Sequence, residues 1–173
     1  MNCETKPGTP AEETTETKTG RISDISELAL TRGRIMGVDF GDVRTGIAMS
    51  DIFRQLSSGI CVIKPGGIAK AVTEAAGIAR EQGAAAIVVG LPRNMDGSEG
   101  PRAERCRLFA EMLNSETGIP VAMSDERLST VAASRFLNAT DTRGKARKKV
   151  IDALSAELIL QGALDRMRHT QGL

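Results

Sequence analysis

The chain has 173 residues, enough for one domain of ordinary size and too few for two full-sized ones. Hydrophobic residues make up 40% and aromatic residues only 2%, so the core must be aliphatic and platforms for stacking nucleic-acid bases are disfavoured. The net charge is +1, and three scattered cysteines with a single histidine disfavour a disulfide framework and a structural zinc site.

The chain begins with a polar segment rich in Thr, Glu, Pro and Gly. This composition predicts a disordered or weakly structured N-terminal arm over 1–33, in which 22–30 has the pattern of a short amphipathic helix. A single folded domain is expected over 34–168, followed by a tail at 169–173. The sequence shows no signal peptide and no run of apolar residues long enough to cross a membrane, so a cytoplasmic protein without a membrane partner is expected.

Regular patterns of apolar residues begin at Arg34. The first three predicted strands are typical of an antiparallel meander, and Pro101 suits the first turn of a helix. The alternation of later strands with helices predicts an α/β domain with a mixed, largely buried sheet. Strands are predicted over 34–40, 46–51, 57–63, 85–90 and 119–126, and helices over 67–82, 101–116, 129–138 and 147–168.

The first predicted strand carries a carboxylate where another apolar residue is expected. Alternation places Ile35, Gly37 and Asp39 on one face of this strand. Gly37 leaves room beside Asp39 for a bulky neighbour, although a glycine selected for helix packing would look the same. Because a lone carboxylate is costly to bury, a cation is expected beside Asp39.

A second pair of acids, Asp125 and Glu126, ends the predicted strand at 119–126. Open α/β sheets commonly bind their ligands at this carboxyl edge. Because adjacent strand residues point in opposite directions, normally only one of the two can face the same ligand. Asp125 has an ordinary alternative role as the cap of a following helix.

A further acid, Asp152, falls in the first or second turn of the last predicted helix. It lies on a stripe that becomes apolar at Ala156 and Ile159 and should pack on the sheet. An acid favoured by the helix dipole, or one paired with Lys148, would explain Asp152 equally well alone. Several acids at one edge, without a His or Cys cluster, favour Mg²⁺ or Mn²⁺ as the bound cation, with two ions expected.

Four stretches of the sequence resemble the YqgF/RuvX family, whose members are Holliday-junction resolvase-like proteins named as nucleases of pre-16S rRNA. The resemblance runs from about Arg34 to Arg166, with the motifs in the family's order and spacing. They are MGVDFGDVRTGIAMSD, IVVGLPRNMDGSEGPRAERCRLFAEML, DERLSTVAASRFL and KKVIDALSAELILQGALD.

The resemblance implies a ribonuclease H-like fold with a five-stranded mixed sheet flanked by helices, and metal-dependent hydrolysis of phosphodiesters at the 5′ end of pre-16S rRNA. The catalytic acids and metal ligands it implies are Asp39, one or both of Asp125 and Glu126, and Asp152. Glu126 is favoured over Asp125 for its longer reach. Related junction resolvases carry a further acid one helical turn later, where this chain has Ser155.

Several polar and basic residues are expected to contact nucleic acid. The stretch 135–149 carries six bases and one acid, which suits a polyanion but also a solvated loop. Asn94 would alternatively be an ordinary turn residue. The predicted nucleic-acid contacts are Arg44, Arg93, Asn94, Arg127, Lys148 and Lys149.

Three classes of function are compatible with the sequence. The first is a metal-dependent nuclease acting on structured RNA of pre-ribosomal particles or on branched DNA, such as a Holliday junction. The second is a phosphotransferase of the actin and sugar-kinase group, which the short chain and the absence of a second glycine-rich phosphate loop disfavour. The third is a non-catalytic, ribosome-associated binding module. The sequence leaves monomer and homodimer equally open.

Overall fold

A computed structural model describes residues 20–125 and 145–170 of the chain, with side chains from residue 154 onward in the second range. The strands are β1 (Ile22–Ser23), β2 (Arg34–Asp39), β3 (Thr45–Ser50), β4 (Ser57–Ile63), β5 (Ala84–Leu91) and β6 (Val121–Asp125). The helices are α1 (Ile25–Ala29), α2 (Ile68–Glu81), α3 (Pro101–Thr117) and α4 (Lys145–Thr170). The predicted helix at 129–138 lies outside the described residues.

The strands form one mixed sheet in the order β1-β6-β5-β2-β3-β4. The strands β2, β3 and β4 pair antiparallel, whereas β5 pairs parallel with β2 and with β6. The predicted α/β class and the meander are confirmed. Within the described residues the sheet has six strands instead of the predicted five, because β1 adds a two-residue parallel edge strand to β6.

The structure differs from the predicted N-terminal arm over residues 20–33. Besides β1, this segment forms α1, where Asp24 caps the helix by accepting a hydrogen bond from the Ser26 amide at 2.8 Å. Leu28 of α1 is fully buried against α4. The segment therefore belongs to the packed domain.

Two apolar layers cover the sheet. On one face, α2 and α3 pack on alternate residues of the central strands such as Val38 and Val89. On the other face, α1 and α4 pack on the intervening residues, such as Ile35 and Val88. Both faces of β2 and β5 are thus buried, as is usual for strands covered by helices on each side. No helix within the described residues is long and apolar enough to cross a membrane.

The contact of α4 with β2 is unusually close at Gly37. A Cβ atom at this position would lie 2.6 Å from Cβ of Leu160 and 3.1 Å from the carbonyl oxygen of Ala156. Real Cβ atoms do not approach a neighbour so closely, so the helix can occupy this position only over a glycine. Of the two sequence explanations for Gly37, helix packing is the one that the structure shows.

The hydrogen bonds between α4 and β4 establish the direction of the helix. Ser57, level with the amino end of β2, donates to Oε1 of Gln161 at 3.0 Å through its amide. Gly59, two residues further along β4 and level with Gly37, donates to Oε2 of Glu157 at 3.3 Å. Because residue numbers in α4 fall towards the carboxyl end of β2, the start of α4 lies at that end.

Replacing Gly37 by Ala is expected to destabilise the protein by about 1–3 kcal/mol, because the new methyl group overpacks the contact with Leu160. The matched control is Gly77→Ala in the middle of α2, where a Cβ would meet nothing within 4 Å. This control is expected to be neutral or to stabilise the helix by up to about 1 kcal/mol. Urea unfolding of the three proteins measures both changes, and equal midpoints for wild type and Gly37→Ala would contradict the prediction.

Candidate active site

The carboxyl ends of β2, β5 and β6 meet at one edge of the sheet. The register aligns Val38 with Val89 and Leu91 with Asp125, so Asp39 and Asp125 end two strands that flank β5. Their side chains are partly shielded, with 19% and 20% exposure. This is the edge at which parallel α/β sheets place their ligands.

Asp39 belongs to the face of the sheet that α4 covers. Ile35 and Gly37 precede it at two-residue intervals along the strand. Ile35 packs in the same layer as α4, and Gly37 lies against Leu160 of that helix. The next residue, Phe40, turns to the opposite layer and stacks on Phe109 of α3 with ring centroids 4.5 Å apart. The alternation predicted from the sequence for this strand therefore holds to its last residue.

Asp125 belongs to the other face of the sheet. It follows Val121 and Met123, which pack in the layer under α2 and α3. Nη1 of Arg93 lies 3.7 Å from Oδ2 of Asp125. The adjacent Ser124 has the opposite orientation and accepts a hydrogen bond from Arg166 of α4. The structure therefore does not place Asp125 on the same face as Asp39.

The loop after β5 carries a compact ion-pair network that the sequence reasoning missed. Glu99 accepts hydrogen bonds from Nε and Nη2 of Arg107 at 2.8 and 2.7 Å, and from Nη2 of Arg93 at 3.2 Å. The Arg107 guanidinium, with help from Arg93, lowers the pKa of the Glu99 carboxyl to about 2. Arg93 thus joins Glu99 to Asp125, and the network ties the loop to both α3 and β6.

Asn94 occupies a tight turn in the same loop. Its side-chain Nδ2 donates to Oγ of Ser98 at 2.9 Å, and its carbonyl oxygen accepts from the Gly97 amide at 2.9 Å. Ser98 donates through both its amide and its hydroxyl to Asp96, which lowers the pKa of that carboxyl. The turn role considered for Asn94 is therefore observed.

A groove lies beside Asp39, between the hairpin after β2 and the first two turns of α3. We call it the arginine groove, because three of its seven lining residues are arginines. Nη2 of Arg102 lies 4.0 Å from Oδ1 of Asp39, and Nε of Arg105 donates to Oδ1 of Asp42 at 2.8 Å. The lining residues are Phe40, Gly41, Asp42, Val43, Arg44, Arg102 and Arg105.

The remaining predicted site residues are described incompletely or not at all. Glu126 and Arg127 lie outside the described residues, whereas Lys148, Lys149 and Asp152 lie in α4, where only the backbone is described. Ser155 is half-buried in α4, one residue before the fully buried Ala156. Within the described residues, no three His, Cys, Asp or Glu side chains form a group that could hold a metal ion.

Only weak sequence signals point to the arginines that the structure brings to this edge. Arg102, Arg105 and Arg107 follow Pro101 closely, so a reader of the sequence could place them in the first two turns of one helix. The partners of these arginines could not be predicted from the sequence, because Asp42 lies in a distant hairpin and Glu99 in the preceding loop.

Comparison with known proteins identifies close relatives along most of the chain. The family model described as "RuvX: Holliday junction resolvase" matches residues 33–166. A Clostridioides difficile (strain 630) protein named "Putative pre-16S rRNA nuclease" is 48% identical over 133 residues, covering 77% of this chain and 94% of that protein. An Acidiphilium cryptum (strain JF-5) protein of the same name is 42% identical over 148 residues, covering 86% and 94%.

Solved structures support the same fold. The structure titled "T. thermophilus RuvC in complex with Holliday junction substrate" superposes with a TM-score of 0.52 at 14% identity, covering 78% of this chain and 96% of that chain. A second, titled "Thermus thermophilus RuvC structure", gives a TM-score of 0.50 at 12% identity and covers 80% and 96%. These likenesses confirm the predicted ribonuclease H-like fold.

The ion pairs of Glu99 are expected to make stability depend on pH in acid. Because folding lowers the pKa of Glu99 from 4.5 to about 2, its contribution is fully present above about pH 4.5 and is lost as the pH falls towards 2. The difference in unfolding free energy between wild type and Glu99→Gln should therefore be constant near neutral pH and shrink below about 4.5.

Urea unfolding across this pH range measures the difference, and one that persists unchanged down to about pH 2.5 would contradict the assignment. Arg107→Gln supplies the matched control, because removing the main partner should raise the pKa of Glu99 towards 4.5. The carbon chemical shift of the Glu99 carboxyl, followed by NMR, reports that change directly.

Proposed function

The chain belongs to the RuvX family, and we propose that it is a metal-dependent endonuclease that hydrolyses phosphodiester bonds in nucleic acids. We further propose that its substrate is the 5′ end of pre-16S rRNA, as the names of its relatives suggest. The observation that carries the proposal is the position of Asp39, at the carboxyl end of the central strand β2 and on the face covered by α4.

The acids proposed to act together are Asp39, Glu126 and Asp152. Asp125 is a weaker candidate, because it lies on the opposite face of the sheet from Asp39 and forms an ion pair with Arg93. Because adjacent strand residues point in opposite directions and normally only one of two can face the same ligand, we propose Glu126 as the ligand from this segment.

The direction of α4 supports the inclusion of Asp152. Ala156 and Leu160 contact Gly37, and residue numbers in α4 fall towards the end of β2 that carries Asp39. Asp152 precedes Ala156 by one helical turn, so its backbone lies towards the Asp39 edge. This is the juxtaposition that a shared ligand set would require.

The donor chemistry of these acids fits a hard divalent cation such as Mg²⁺ or Mn²⁺, and two ions would suit three carboxylates. Asp39, Glu126 and Asp152 would hold the ions. When bound, they would supply charge that neutralises the phosphate and lowers the pKa of water. Ser155 lies where related resolvases have a fourth acid, so weaker metal binding than theirs is expected.

The chain's own contribution is to hold these acids and the substrate in fixed positions. The partly shielded Asp39 carboxylate ends a strand that is buried on both faces, which limits its movement. Arg44, Arg127, Lys148 and Lys149 are proposed to bind backbone phosphates. Arg93 and Asn94 are proposed to act through the shape of their loop, because both make intraloop hydrogen bonds.

The substrate class separates the remaining alternatives. The family description favours a four-way DNA junction as a second candidate substrate, and pre-ribosomal particles are the setting that the relatives' name implies. A cytoplasmic location and the choice between monomer and homodimer stay predictions.

Replacing Asp39 by Asn, Glu126 by Gln or Asp152 by Asn is expected to lower cleavage at least about 100-fold, since each removes a charged metal ligand. Asp125→Asn is expected to retain activity within a few-fold, because it lies on the other face of the sheet. The assay is cleavage of a precursor 16S rRNA 5′-leader RNA with Mg²⁺ or Mn²⁺, with EDTA as the metal-free reference and a four-way DNA junction in parallel.

Asp165→Asn is the matched control, because this exposed acid lies in α4 at the end far from Asp39 and binds Gln161. Preferential cutting of the junction would assign the activity to branched DNA. Full activity of Asp39→Asn or Asp152→Asn would contradict the proposed site. Binding without any cleavage would favour a non-catalytic binding module.

A further inference from the structure

The arginine groove has a charge pattern that the acid site alone does not explain. Three arginines and one aspartate line the groove, and Asp42 pairs with Arg105. We propose that the groove binds a backbone phosphate next to the one that is cleaved, with Arg102 as its principal contact. This inference rests on the proposed nuclease function and adds to it a residue that positions the substrate.

Arg102 differs from its neighbours in α3 by the contacts it makes. Arg105 and Arg107 each donate two hydrogen bonds to one carboxylate, Asp42 and Glu99 respectively. Arg102 donates no hydrogen bond within the described part of the chain, and its side chain is 67% exposed. Its guanidinium therefore presents its N–H donors to the groove and to solvent.

The ion pair of Arg102 with Asp39 does not account for this placement as a stabilising contact. Its 4.0 Å separation is at the limit of an ion pair, and Arg102 is mostly exposed. An ion pair of this length, with one partner mostly in solvent, adds little to stability. A guanidinium that reaches over the sheet edge towards a catalytic carboxylate is well placed to contact the substrate that this carboxylate serves.

The walls of the groove are held in place before a ligand arrives. The Asp42–Arg105 pair ties the hairpin after β2 to α3. The hairpin itself is tight, since a Cβ at Gly41 would lie 2.6 Å from the carbonyl oxygen of Arg44. Thr45 adds a hydrogen bond from its hydroxyl to the Gly41 carbonyl at 3.3 Å. A fixed groove loses little freedom on binding, which favours recognition of one phosphate in one place.

The ligand class follows from the chemistry of the lining. Guanidinium groups match the geometry of phosphate oxygens and bind them through paired N–H donors. The lining offers one partly engaged carboxylate, Asp42, and one exposed apolar side chain, Val43. A sugar-phosphate backbone, which presents charge without requiring base contacts, is the ligand that fits such a surface.

The test uses Asp39→Asn as a background that leaves the substrate uncut and also removes the Asp39–Arg102 ion pair. The probe is a labelled stem-loop RNA with a single-stranded 5′ leader, and binding is measured across a series of salt concentrations. Adding Arg102→Gln should weaken binding about five-fold or more and reduce the slope of log Kd against log salt by about one. Arg102→Lys, which keeps the charge, should keep the slope.

Arg80→Gln in the same background is the matched control, because Arg80 is similarly exposed at 54% and pairs with Glu116 at the end of α2. It should change neither affinity nor slope. Unfolding in urea checks that Arg102→Gln remains folded. If Arg102→Gln binds the RNA with the affinity and slope of its background, the proposed phosphate contact is overturned.

Cleavage by the protein with Asp39 intact separates this inference from the nuclease proposal. If the wild type cuts the RNA and Arg102→Gln changes neither cleavage nor the salt slope, the phosphate contact fails alone. If the wild type does not cut but Arg102→Gln reduces the slope, the groove binds phosphate and the nuclease proposal fails.

Discussion

The close packing of α4 on β2 is the contact on which the rest of the structure depends. Gly37 admits the helix backbone so closely that any side chain there would collide with Leu160. The hydrogen bonds from Ser57 and Gly59 then hold the same helix over β4, with its start towards the carboxyl end of β2. One missing side chain thus brings a strand end and a helix start, distant in sequence, to a common edge.

The carboxylates on the two faces of the sheet have different surroundings. On the α3 side, Asp125 and Glu99 share Arg93, and Arg107 holds Glu99 by two hydrogen bonds. Such pairing fixes the loop and neutralises its charge. Asp39 belongs to the α4 side, where the packed layer is made of small and aliphatic residues. The positive charge of Arg102, 4.0 Å away, offsets part of the cost of shielding this carboxylate, and the proposed metal ion would offset more.

The sequence predicted most of the elements because their apolar periodicity was strong. It missed β1 because two residues cannot show alternation, and Ile22 and Ser23 become a strand through pairing with β6. The face of the sheet on which Asp125 lies was also beyond the sequence. Alternation shows only that adjacent strand residues lie on opposite faces of the sheet. Which face lies under α3 and which under α4 follows from the packing of those two helices. The ion-pair network of Glu99 could not be predicted from the sequence, because Glu99 lies in the loop before α3 and Arg107 lies within that helix.

Neighbouring residues at the end of β2 have complementary roles. The chain has only four phenylalanines, and two of them, Phe40 and Phe109, stack with an interplanar angle of 12°. Phe40 is the residue that directly follows Asp39. Such a stack contributes about 0.5–1.5 kcal/mol beyond simple burial and holds its partners in one orientation. Because Phe40 is fixed in the α3 layer, the backbone at Asp39 cannot rotate without breaking the stack. The stack therefore supports the strand end at the carboxylate proposed to bind metal, and it anchors α3 where Arg102 approaches that carboxylate.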